Sequence, residues 1–149
     1  MIMKKFTLPI RFGIATSGCL IAYFLVLSLF NLHVNGFYSL FNSIITGFGI
    51  YEAIKFTKVL KGKTFDYRQG FAAGITTGFL ATLIFTLFFA FYATEINIDF
   101  LPELSKVWFK EYHTGEGLLF FTVAIMGFAT TVVLTLAFMQ LFKSSNNLK

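Results

Sequence analysis

The chain has 149 residues, of which 56% are hydrophobic and 13% charged, whereas a water-soluble domain carries roughly 25% charged residues. With the apolar residues gathered into long blocks, this deficit makes lipid the solvent and excludes an ordinary soluble domain. The net charge of +5 does not signal nucleic acid, because of where the basic residues fall, and a single cysteine, Cys19, excludes an intrachain disulfide.

The basic start, with Lys4 and Lys5, imitates a secretion signal, and Thr16-Ser17-Gly18-Cys19 imitates a lipoprotein cleavage box. The apolar run continues past Leu20 to Phe30 with no Ala-x-Ala site after it, so the segment reads as an uncleaved anchor. The first span is placed at residues 12–31, about 20 residues, matching ~30 Å of hydrocarbon at ~1.5 Å per residue. A short turn containing Asn31, Asn35 and Gly36 then reverses the chain.

The second span, residues 37–55, is the least hydrophobic. Ser39, Asn42, Ser43, Thr46 and Gly47 recur at i, i+3, i+4, i+7 and i+8, one face of a helix. Such a face is costly against lipid and cheap against other helices, so this span is expected to be the most enclosed and to form a hairpin with the first.

A basic connection with Lys58, Lys61, Lys63 and Arg68 leads to the third span, residues 70–92. Gly70, Gly74 and Gly78 fall every fourth residue, and Thr77, Ala81 and Thr82 extend the face. This is a small-residue seam around which the other spans are expected to gather, or alternatively a dimerisation face. The 11 Leu, Ile and Phe residues of this span favour insertion by roughly 3–7 kcal/mol, at ~0.3–0.6 kcal/mol each.

The next loop, residues 93–117, is acidic. Asp99 and Pro102 mark a helix start, and Leu101, Leu104, Trp108 and Tyr112 share a face. That pattern predicts a short interfacial helix with Trp108 and Tyr112 at headgroup depth. The fourth span, residues 118–142, has its own small-residue face in Ala124, Gly127, Thr131 and Thr135. Ten of the twelve Lys and Arg residues lie in the two tails and the middle connection, and the other two, Lys106 and Lys110, lie in the acidic loop. This bias predicts both termini on the cytoplasmic side of a bacterial inner membrane.

Few residues suggest chemistry. Asn42 and Thr46 could line a polar pathway with Glu52, although Asn42 reads more simply as a hydrogen bond between helices, with Tyr23 a plausible partner. Glu52, at the end of its span, reads as an interfacial carboxylate paired with Lys55 or Arg68. His33 and His113 both fall in loops, which does not suit haem held between spans. Glu111, His113 and Glu116 read as a solvated acidic loop and not as a metal site. No catalytic, cofactor-binding or metal-ligating set is expected, and no cofactor is implied.

The motifs Gly49-Ile50-Tyr51-x-Ala53-Ile54-Lys55, Phe65-Asp66-Tyr67-Arg68-Gln69-Gly70-Phe71-x-x-Gly74 and Tyr92-x-x-x-Ile96-x-x-Asp99-Phe100-Leu101 resemble a family of small bacterial membrane proteins catalogued as a domain of unknown function, four-one-nine-nine in that series. The resemblance covers nearly the whole chain. It implies a four-span inner-membrane protein and brings no activity, cofactor or catalytic residue.

The sequence therefore predicts an all-α, single-domain, integral membrane four-helix bundle. The helix-packing seam is expected at Gly70, Gly74, Gly78, Ser43 and Gly47, and the candidate polar pathway at Asn42, Thr46 and Glu52. The expected role is a non-enzymatic accessory or scaffold subunit whose partners are the bilayer, another membrane protein or a second copy, and not nucleic acid. The alternative is a small oligomeric transporter or channel using the polar face of the second span.

Overall fold

A computed structural model describes residues 3–109 and 115–143, and among these every regular element is helical. Four long helices, α1 (Met3–Leu29), α2 (Gly36–Lys61), α3 (Tyr67–Phe91) and α5 (Glu116–Phe142), run side by side, and a short α4 (Phe100–Phe109) lies beyond α3. A π-turn, Tyr92–Ile96, prolongs α3. Three of these helices are long and apolar enough to cross a membrane: Thr7–Leu29, Tyr67–Ile96 and Gly117–Phe142. α2 is as long, 26 residues, or about 39 Å, but its Ser, Asn, Thr and Gly content keeps it below the hydropathy of the others.

The helix ends follow from local chemistry. α1 ends at Asn31, whose φ of 55° is the left-handed geometry of a helix stop. The Leu32 N–H donates to the Leu27 carbonyl (2.9 Å) and the Asn31 N–H to the Ser28 carbonyl (3.2 Å), the Schellman pattern. The Asn35 side chain then accepts from the Phe37 N–H and opens α2. α2 runs past the expected boundary at residue 55 to Lys61, because nothing in 56–61 breaks a helix until Gly62, at φ 52°. Asp66 caps α3 by accepting from the Gln69 N–H at 2.8 Å. What reads as a basic loop is therefore mostly helix, with one 3₁₀ turn, Gly62–Thr64.

α3 is the centre. It packs against α1, α2 and α5, and α1 and α5 flank the α2–α3 pair. The expectation that α2 is the most enclosed helix is corrected here. α3 carries small residues on two adjoining faces, Gly70, Ala73, Gly74, Thr77, Gly78, Ala81 and Thr82, all buried. Three neighbours can approach it closely, whereas α2 leaves Phe37, Leu40, Phe41, Ile44 and Phe48 exposed.

The α3–α5 contact is an antiparallel ladder with one rung per helical turn: Gly70 faces Met139, Gly74 faces Thr135, Gly78 faces Thr131, and Thr82 faces Gly127. A Cβ placed on Gly74 would meet the Thr135 methyl at 2.6 Å. The same device joins α1 to α2, where Thr16 fills the notch of Gly49. α1 and α3 run parallel, with Gly13 against the Thr77 carbonyl and Leu80, and the Thr77 hydroxyl donates to the Pro9 carbonyl at 3.1 Å. Within this chain the notches of Gly70, Gly74 and Gly78 are filled from α5.

Both ends of the bundle are closed by side chains. At the end holding Lys55, Lys58 and Lys61, the Lys58 ammonium donates to the Phe142 carbonyl at 3.2 Å and caps the C-terminus of α5. At the other end Phe100, Leu101 and Leu104 of α4 are buried in one cluster with Phe24, Phe85, Phe89, Tyr92 and Leu119. The apolar face of α4 is thus turned into the bundle. The Trp108 side chain and Tyr112, expected at headgroup depth, lie outside the described residues.

The ladder yields a size-swap test. Gly78→Ala drives a methyl into Thr131 and should cost about 1–3 kcal/mol, read as a lower unfolding midpoint in mild detergent. Thr131→Ala in the same chain should recover most of that loss. Gly18→Ala, whose added Cβ meets nothing within 4 Å, should not lower the midpoint, since alanine favours the helix.

Candidate functional site

The polar face of α2 borders a cavity. Gly47, Tyr51 and Lys58 of α2 meet Leu134, Phe138 and Phe142 of α5. Toward the capped end the same two helices instead form opposite walls of a cleft of about 530 Å³. Ser39, Asn42, Ser43 and Thr46 line the α2 wall, and Thr122, Met126, Gly127 and Thr130 line the α5 wall. The floor is apolar, from Leu20, Phe24 and Leu27 of α1 and Phe85 and Phe89 of α3. Phe100 and Leu104 of α4, with His33 from the α1–α2 turn, close the capped end.

Each expected site residue can now be placed. Asn42, Ser43 and Thr46 all line the cleft, with Thr46 buried and the other two half-buried. Gly47 is buried just inward of it, beside Leu134 and Phe138. Gly70, Gly74 and Gly78 lie on the α3 face turned to α5 and contribute nothing to the cleft. Glu52 stands apart near the basic end, 3.3 Å from Lys55. Tyr23, the suggested partner of Asn42, instead donates to the Tyr38 carbonyl at 2.9 Å. The Asn42 Oδ1 is closed off from water without a hydrogen-bond partner among the described residues.

Neither the α5 wall nor the cap is evident from the sequence. Thr122, Met126 and Thr130 are four residues apart, so a second stripe, with two hydroxyls, runs parallel to the small-residue face in the sequence, though masked by the stronger Gly127-Thr131-Thr135 pattern beside it. The Thr122 hydroxyl donates to the Leu118 carbonyl at 2.8 Å, which leaves its oxygen lone pairs to accept from the cleft.

His33 belongs to the cap. Its ring stacks on Phe100, 4.7 Å between centroids and 19° between planes, and meets Phe24 and Tyr92 edge-on. Neither ring nitrogen has a hydrogen-bond partner among the described residues. Burial pushes its pKa below the ordinary value of 6.5, and the nearby Glu103 carboxylate opposes that only in part. Glu111 and His113, the other loop residues weighed for metal, lie outside the described residues. No protein-family model, curated protein or solved structure matches the chain, so the family resemblance rests on its quoted residues alone.

The depressed His33 pKa carries a sign. Above the unfolded pKa both folded and unfolded chains hold neutral imidazole, and the contribution to stability is intact. As the pH falls through that value toward the folded pKa, the unfolded state takes up the proton first. The cap should therefore loosen below about pH 6.5, by at most ~1.4 kcal/mol per pH unit for one proton. Hydrogen exchange at α4 amides should show the loss, and His33→Phe should abolish the pH dependence while keeping the stack on Phe100.

Proposed function

We propose that this chain is a four-span protein of a bacterial inner membrane that works by binding, as an accessory subunit, without catalysis or conduction. The membrane assignment is supported by three helices of sufficient length and hydropathy, with α2 running antiparallel beside α1 and α3 over a similar length. The basic end, carrying ten of twelve Lys and Arg with the two tails, is assigned to the cytoplasm, and α4 to the outer side. The family resemblance supports the same architecture.

The observation that carries the binding role is the blind cleft. Its polar wall stops at Thr46, and inward of it Ile50, Ile54 and Met139 form a buried apolar cluster. A pathway for ions or solutes needs continuous polar lining, and Glu52 lies beyond that cluster. Two of the ionisable groups are already engaged, Glu52 with Lys55 and Asp66 as a helix cap. What remains is a polar wall on α2 that the cleft separates from α5.

In a Cys19→Ser background, Val107→Cys should react with a membrane-impermeant thiol reagent applied to intact cells, and Lys63→Cys should not. The reverse pattern overturns the topology. Proteoliposomes should stay impermeant to ions and small solutes. A flux that Asn42→Leu abolishes would replace the accessory reading with conduction.

A further inference from the structure

We propose that the cleft between α2 and α5 is a binding site for an uncharged lipid bearing a free hydroxyl, of the diacylglycerol or prenyl-alcohol kind. The inference rests on the membrane-embedded binding role given above and names the ligand class.

Size comes first. The cavity of about 530 Å³ lies within the roughly 300–1,000 Å³ of small-molecule sites. A space of this size takes a headgroup and part of a chain.

Charge comes next. The polar groups that line the cleft are hydroxyls, the amides of Asn35 and Asn42 and the His33 ring, and among the described residues no Lys, Arg, Asp or Glu lines it. His33 at the cap is held toward its neutral form by burial. A phosphate or carboxylate entering here would lose its hydration with no counter-charge to replace it, which costs several kcal/mol. A hydroxyl loses little and gains partners.

The wall then selects among neutral molecules. Ser39, Asn42, Ser43 and Thr46 form a polar stripe about 10 Å long at 1.5 Å per residue, facing Thr122 and Thr130 across the cleft. The unpaired Oδ1 of Asn42 is a buried acceptor, which costs roughly 1–3 kcal/mol until a donor reaches it. The terminal torsion of asparagine is soft, so a small rotation presents the amide to the cleft. A hydroxyl both donates and accepts and so suits either face of that amide. Below the stripe, Leu20, Phe24, Phe85 and Phe89 offer an apolar bed for a chain. The rim residues Leu40 and Met126 are 64% and 51% exposed, which leaves the chain a way out sideways into the bilayer.

The test uses the full-length protein in mild detergent, titrated with dioleoylglycerol, with geranylgeraniol and with phosphatidylglycerol, with occupancy read by native mass spectrometry. One or both of the hydroxyl lipids should bind at one per chain, and the tighter of the two identifies the source of the chemistry. Phosphatidylglycerol should not displace it. Asn42→Leu should weaken binding about tenfold. Met126→Trp, which adds bulk at the exposed rim, should block it while leaving the unfolding midpoint unchanged. Failure of both hydroxyl lipids to bind wild type overturns the assignment, as does equal competition by phosphatidylglycerol or undiminished binding by both variants. Failure here leaves the topology and impermeance results standing, so it is distinguishable from failure of the accessory reading.

Discussion

A threonine seated over a glycine is the contact on which the bundle depends. It recurs at Thr16 over Gly49, Thr135 over Gly74, Thr131 over Gly78 and Thr82 over Gly127. In lipid there is no hydrophobic driving force between helices, so association comes from close packing and polar contacts, and both need backbones that approach. Glycine supplies the approach. Threonine fills the notch with a β-branched side chain that has few rotamers to lose. The Thr131 and Thr135 hydroxyls have no conventional partner among the described residues and lie over the Gly78 and Gly74 backbone. That placement fits the weak Cα–H···O contact common at helix interfaces. The polarity of the ladder reverses at Thr82, so neither helix alone carries the notches.

This ladder also shapes the cleft. It holds α5 to α3 along several turns, while α2 touches α5 through Gly47 and Tyr51 and inward to Lys58. With α5 committed to α3, the polar half of α2 is left opposite a wall that it does not reach. The cap then limits the cleft at the far end. Phe24 is its hub, with edge-on contacts to Phe85, Phe88, Phe89, Tyr92, Phe100 and His33. Such ring pairs prefer edge-to-face geometry and add to the area they bury. The cap therefore joins α1, the α1–α2 turn, α3, α4 and α5 and gives α4 a defined seat.

The helical class, the order and approximate places of the long elements, the distribution of basic residues and the small-residue faces of α3 and α5 are all legible in the sequence. Each is a property of local composition or of a 3.6-residue period, which one helix expresses without reference to its neighbours. The Gly70-Gly74-Gly78 face could be read in that way, and so could the polar stripe of Ser39, Asn42, Ser43 and Thr46. Their partners could not. Only the assembled bundle decided that Gly78 meets Thr131, that Tyr23 turns to Tyr38 and leaves Asn42 unpaired, that His33 stacks on Phe100, and that α3 and not α2 sits at the centre. A helix face has a direction only relative to the helices beside it, and which of several suitable faces pair depends on packing all of them at once.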